Sequence, residues 1–185
     1  MTPKRGVTLQ QIVQTAIEIA DRQGLPSVTL SAVAERLEIR TPSLYNHVNG
    51  MEGLINLLAV TGLNTLLQSI RGAKDGKVGQ EALLAIAEEY VAFARKHPGL
   101  YNAMLHPLRS DDPDYLQASR GISEVLVEAA RECGIAGNEE IHIVRGLRSL
   151  LHGFVALESG GAFGTEIRVN DSLQYSVKRY IFQQT

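Results

Sequence analysis

Apolar residues recur along the start of the chain at Leu9, Ile12, Val13, Ala16, Ile17 and Ala20, with polar and charged residues between them. Steps of three and four place them on one face of an amphipathic helix. Thr8 stands where a helix is capped, Gly24 where one is closed, and Pro26 just beyond. The pattern next predicts a short helix over 31–37, with Val33, Ala34 and Leu37 inward. Another is predicted over 41–48, where Thr41 supplies the cap and Pro42 takes the first helical position. A long helix follows from about Met51 to Ile70, and Gly72-Ala73-Lys74-Asp75-Gly76-Lys77 reads as a polar connector. Beyond it, helical spacing covers about 79–97, 98–106, 113–133, 138–159 and 173–182, with Gly160-Gly161-Ala162-Phe163-Gly164 breaking the pattern before the last. No alternating strand of useful length occurs, so the expected fold is all-α, divided at 1–50, 51–70 and 71–185.

Composition narrows what such a fold does. With 185 residues, 44% hydrophobic and 21% charged, the chain is globular rather than disordered. Its formal net charge of −2 excludes a polycation that coats nucleic acid by bulk charge. Residues 1–50 carry Lys4, Arg5, Arg22, Arg36 and Arg40 against Glu18, Asp21, Glu35 and Glu38, so any DNA contact must be local. The lone Cys133 allows no intramolecular disulfide and no multi-cysteine zinc site. The richest apolar stretch, Leu54–Leu67, is interrupted by Asn56, Thr61, Gly62, Asn64 and Thr65, short of the roughly 18 continuous apolar residues of a membrane span. A cytoplasmic protein with no membrane partner is the expectation, since the chain opens on an amphipathic segment and not on an apolar leader.

Two short helices joined by a tight turn and braced by a preceding helix make the geometry that sets a second helix in a DNA major groove. On a helical wheel Leu44 and Val48 point back at Val33, Ala34 and Leu37, while Pro42, Asn46 and Asn49 fall opposite, flanked by Ser43, Tyr45 and His47. The Asn46 amide suits the N6/N7 edge of adenine. Thr41 and Ser43 can donate to phosphate or base, and Tyr45 and His47 can reach backbone phosphates. Ser31 opens the first helix of the pair, Arg40 lies at the entry to the second, and Lys4 and Arg5 form an arm ahead of both, all placed to meet phosphate.

The runs Thr29-Leu30-Ser31-Ala32-Val33-Ala34-Glu35-Arg36-Leu37 and Ile39-Arg40-Thr41-Pro42-Ser43-Leu44-Tyr45-Asn46-His47-Val48 closely resemble the DNA-binding signature of TetR-family transcriptional regulators. His97-Pro98-Gly99-Leu100-Tyr101 and Leu151-His152-Gly153-Phe154 are similar to segments of the branch whose C-terminal domain carries a Trp-His-Gly motif, with Leu151 in place of the Trp. The resemblance implies a three-helix helix-turn-helix domain in residues 1–50, a linking helix over 51–70 and a larger helical-bundle effector and dimerisation domain over 71–185. Thr41, Ser43, Tyr45 and His47 are then expected on the DNA backbone, and Pro42 and Asn46 near bases. Two departures stand out. Glu38 occupies the usual turn glycine, which in a left-handed conformation costs roughly 1 kcal/mol. Met51 replaces a lysine that often begins the next helix and touches phosphate.

By the same resemblance the second domain binds a small-molecule effector, with Tyr90, Phe93, Tyr101, Met104 and Leu105 supplying an apolar pocket and His152 with Tyr90 and Tyr101 its polar contacts. The last two helices resemble a pair that forms a four-helix homodimer interface, for which Ile143, Leu147, Leu150, Phe154, Leu157, Val177 and Ile181 are the candidates. Gly146 and Gly153 would permit close helix approach. A dimer also follows from the DNA argument, since a two-fold operator needs a two-fold protein. The expectation is therefore a ligand-responsive regulator, most simply a repressor, acting on a palindromic double-stranded operator. Enzyme motifs are missing: Glu139 and His142 have the Glu-x-x-His spacing of di-iron bundles without a second pair, and no P-loop, dinucleotide fingerprint or nucleophile elbow occurs. No cofactor, metal or catalytic group is expected. The alternative is a helical small-molecule-binding protein or bundle enzyme whose first domain no longer reads DNA, a reading motivated by Glu38 and Met51.

Overall fold

The computed structural model describes residues 6–105 and 112–182. Among these the regular structure is helical and no strand occurs: α1 Leu9–Gln23, α2 Leu30–Arg36, α3 Gly50–Lys74, α4 Gly79–Lys96, α5 Pro98–Leu105, α6 Pro113–Glu132, α7 Asn138–Ser159 and α8 Val169–Phe182, with 3-10 segments at Leu25–Ser27 and Thr41–Asn46. The all-α expectation holds. Packing divides the chain into two compact units, Met1–Leu63 with His97–Tyr115, and Asn64–Lys96 with Leu116–Thr185.

In the first unit α1 packs against α2 and α5, and α2 against Thr41–Asn46. The predicted ends of α1 are realised. Thr8 Oγ1 accepts from the Gln11 N–H at 3.2 Å while the Gln11 side chain accepts from the Thr8 N–H at 2.9 Å, a reciprocal cap, and Gly24 closes the helix at φ +85°. Ile12, Ala16 and Ile19 of α1 are buried with Val33, Ala34, Leu44, Val48, Leu54 and Leu58. Each large aliphatic side chain removed from water there contributes about 1.5–3 kcal/mol.

In the second unit α4 packs against α7 and α8, which pack against each other. One carboxylate ties three helix ends: Glu132 accepts from Lys74 Nζ and from the Gly79 N–H, both at 2.8 Å. These bonds, Lys74 first, hold the Glu132 carboxyl below its ordinary range and push the Lys74 ammonium up. Arg131 grips Glu140 with two bonds of 2.8 and 2.9 Å, and Arg95 grips Glu158 in the same way at 2.7 and 2.9 Å.

Two boundaries differ from expectation. The connector predicted at Gly72–Lys77 begins later, because α3 continues through Gly72 to Lys74, whose cation suits a helix C-terminus and is held by Glu132. Helix α8 starts at Val169, ahead of the expected Leu173, where Arg168 pairs with Asp171 through two bonds of 2.9 Å. By length and composition α3 is apolar enough to cross a membrane, at 25 residues and a mean hydropathy of 1.4. Leu54, Leu58, Ala59, Leu63, Leu66, Leu67 and Ile70 on it are buried in the fold, the pattern of a core helix.

Candidate nucleic-acid interface

Helix α2 is capped by Thr29, whose hydroxyl accepts from the Ala32 N–H at 3.0 Å. It ends with two crossed bonds, Glu38 N–H to Glu35 O and Ile39 N–H to Ala34 O, each 3.0 Å. This closure demands a left-handed residue at its penultimate position, and Glu38 supplies it at φ +54°, the conformation in which strain was expected from the sequence. Among the described residues it is the one non-glycine with positive φ.

The chain then enters Thr41–Asn46 as a 3-10 segment, where an α-helix through Val48 was expected. The Ser43 N–H donates to Arg40 O and the His47 N–H to Leu44 O, both at 2.9 Å and both spanning three residues. Pro42 has no N–H to give, and with a run this short the tighter turn prevails. Leu44 and Val48 are buried against the first unit, and the segment is presented by them. Pro42, Tyr45, Asn46 and His47 are exposed, Tyr45 to 59%, with Thr41 and Ser43 half-buried beside them. Ser31 and Arg40 are exposed as well, and Lys4 and Arg5 lie outside the described residues. Between residues 31 and 47 the exposed expected contact residues are thus Ser31, Arg40, Pro42, Tyr45, Asn46 and His47.

The first unit also holds α5, which sequence reasoning assigned elsewhere. Asp21, on the last turn of α1, accepts from the Gly99 and Leu100 N–H groups at 2.8 and 3.3 Å and lies 3.3 Å from His97 Nδ1. Gly99 is pressed against the backbone and side chain of Ala20, leaving no room for a Cβ. At Gly62 of α3 an added Cβ would stand 2.9 Å from Met104. Asn56 donates its amide to Asp112, which also accepts from the Tyr115 N–H at 3.0 Å and the Asp114 N–H at 2.9 Å. Those bonds, Tyr115 first and Asn56 next, hold the Asp112 carboxyl below its ordinary range. Asp21 reaches His97 across 76 residues of chain and Asp112 reaches Asn56 across 56, so no local pattern marks those two bonds, whereas the bonds of Asp112 to the first turn of α6 are local.

The effector candidates divide between the units. Tyr101 and Met104 are buried on α5, and Leu105 beside them is 48% exposed. Tyr90 and Phe93 are buried on α4, while His152 is exposed on α7, one step round the helix from buried Leu151. Two clefts of about 370 and 440 Å³ in the second unit are lined by other residues, among them Arg71, Lys77 and Glu128 in one and Ala85, Ala92 and Leu173 in the other.

Of the dimer candidates, Ile143, Leu147, Phe154, Val177 and Ile181 are buried within the protomer, because α7 and α8 use their apolar stripes on each other and on α4. Leu150 is half-buried and Leu157 is 50% exposed. Gly146 is occupied internally: the Tyr180 hydroxyl sits where its Cβ would be, whereas Gly153 meets nothing within 4 Å. Glu139 and His142 are exposed on α7.

Residues 83–180 match the family model described as the tetracyclin repressor-like C-terminal domain. The chain is 38% identical over 182 residues to YobS of Bacillus subtilis, an HTH-type transcriptional regulator, covering 98% of this chain and 94% of that protein. The chain belongs to the TetR family of transcriptional regulators. The chain is also similar to the HTH-type transcriptional repressor DrrR1 of Streptomyces coeruleorubidus, 30% identical over 151 residues, 70% of this chain and 54% of that one. In fold it is similar to the Streptomyces coelicolor TetR family protein ActR in complex with (S)-DNPA, with a TM-score of 0.72 at 15% identity over 96% of both chains. As a TetR-family member this chain is a DNA-binding regulator of transcription.

Proposed function

We propose that this regulator acts as a homodimeric, ligand-responsive repressor whose two Thr41–Asn46 segments enter successive major grooves of a palindromic operator, roughly 34–36 Å apart. The observation that carries the reading is the exposure of Pro42, Tyr45, Asn46 and His47 around a buried Leu44. Asn46 and Pro42 meet bases. Thr41, Ser43, Tyr45 and His47, with Ser31, Arg40, Lys4 and Arg5, meet the backbone. In this scheme residues 1–50 read DNA, 51–70 link, and 71–185 sense and dimerise. The repressor sense is supported by the name of DrrR1, and effector binding by the ligand held by ActR.

Among the effector candidates Tyr101 and Met104 are the first to test, since α5 is tied to α1 by Asp21. Dimerisation is assigned to the outward sides of α7 and α8, where Leu150 and Leu157 join Ile141 and Tyr175, the last two 48% and 64% exposed. Selection from random duplex DNA followed by gel shift tests the reading. A palindrome is enriched, and Tyr45→Ala and Asn46→Ala lose it while still folded. Sequence-specific binding that survives in both variants overturns the assignment of the surface.

A further inference from the structure

We propose that Glu38 limits the affinity of this regulator for DNA: its carboxylate, held in the turn ahead of Thr41–Asn46, repels phosphate and weakens binding equally on every sequence. The proposal rests on that segment being the one that enters the groove.

The fold itself does not account for a glutamate here. Helices α6 and α7 end with the same pair of crossed bonds as α2, and both put glycine at the left-handed position, Gly134 at φ +84° and Gly161 at φ +68°. Glu38 takes up that conformation with a side chain, is exposed, and makes no side-chain hydrogen bond or ion pair with any described residue. A residue with a Cβ therefore strains the turn, and its carboxylate makes no contact within the described fold to offset that strain.

What it does face is set by its position. In helix-turn-helix docking the N-terminal residues of the reading element approach base edges. Glu38 precedes Thr41 by three residues, a chain distance of at most about 11 Å. That is close to the Debye length of about 8–10 Å in physiological salt, so phosphates flanking the groove feel its charge. The ionised side chains of residues 30–50 are Glu35, Arg36, Glu38 and Arg40, in balance. Glu38 cancels one of the two arginines that would draw in phosphate. Its effect carries no sequence information, because every duplex presents the same backbone.

The test is fluorescence anisotropy on a duplex enriched by the protein and on a random-sequence duplex of equal length. Glu38→Gln keeps the side-chain size and the strained backbone and removes the charge. It is expected to tighten binding to both duplexes by the same factor, on the order of threefold at ~50 mM salt and fading toward none at ~0.5 M. Glu38→Asn, which suits a left-handed turn, repeats the result in a variant less exposed to misfolding. Arg40→Gln weakens both duplexes together. Unchanged affinity in Glu38→Gln and Glu38→Asn beside a loss in Arg40→Gln overturns the proposal and leaves the reading surface standing. Tightening confined to the enriched duplex, or seen only in Glu38→Gly, overturns it too, since the cause is then base readout or relief of strain. If Arg40→Gln and Tyr45→Ala bind both duplexes like the parent protein, the reading surface is elsewhere and the proposal falls with it.

Discussion

The ends of α2 and α6 are built alike and surrounded differently. Both close with two crossed hydrogen bonds and both follow the left-handed residue with isoleucine, Ile39 in one and Ile135 in the other. At the end of α6 the residue is Gly134, Ile135 is buried with Ala130 and Ile143, and the neighbouring Arg131 and Glu132 are held by Glu140 and Lys74. At the end of α2 the residue is Glu38, Ile39 is half-buried, and Arg36 and Arg40 point to solvent. One end has glycine at the left-handed position, a buried isoleucine after it and its flanking charges paired, although Arg131, Glu132 and Gly134 are exposed. The other carries strain and unspent charge toward the face proposed to meet DNA. Among the described residues the one left-handed non-glycine lies beside the segment proposed to meet DNA, as expected of strain kept for function.

The contrast can be broken most strongly at the isoleucines. Ile135→Ala is expected to destabilise by about 2–4 kcal/mol in urea unfolding, and Ile39→Ala by roughly half as much, because its site is half open to water. Equal losses would remove the distinction between a packed end and a solvent-facing one. Next come the left-handed positions. Gly134→Glu should lower stability by about 1–2 kcal/mol, while Glu38→Gly should raise it by roughly 1 kcal/mol, the same strain read in opposite directions. A destabilised Glu38→Gly would mean that the carboxylate supports the fold after all.

The smallest effect is expected from pH. Arg131, chiefly through its hydrogen bonds, holds Glu140 below the ordinary carboxylate range, and Lys74 does the same for Glu132. Both groups then bind protons more readily when unfolded. Their contribution is complete above the unfolded pKa of about 4.3 and is lost as pH falls through the lower folded value. Stability should therefore decline between roughly pH 5 and pH 2. Thermal melts of Glu140→Gln across that window should show a shallower decline than the parent protein, and parallel curves would count against the pair.

Much of the helical order was legible because its signals are local. Thr8, Gly24 and the step pattern of α1 each act within a few residues, and Glu38 stood out against the family resemblance, which puts a glycine there. The 3-10 form of Thr41–Asn46 was not legible, and Thr41 does not cap it as expected: Thr41 is its first residue, Arg40 precedes it and no side chain caps the start. Apolar stripes on α7 and α8 show that a face is covered without saying by what. Ile143, Leu147, Val177 and Ile181 are covered by the same chain, leaving Leu150 and Leu157 as the outward remainder of the expected interface. The bonds of Asp21 to α5 and of Asp112 to Asn56 have no signature, because those partners come from distant sequence.

The bond from Asp21 to the Gly99 and Leu100 amides, together with the contact of Gly99 on Ala20, bears on how genes of this family can be recombined. A chimera spliced near residue 50 or 70 looks like a clean exchange of one reader for another. It would instead separate α1 from the helix that seats it, joining a carboxylate to a foreign helix start that need not be glycine. Portable readers made from this chain would have to carry His97–Tyr115 along as a second, non-contiguous insert.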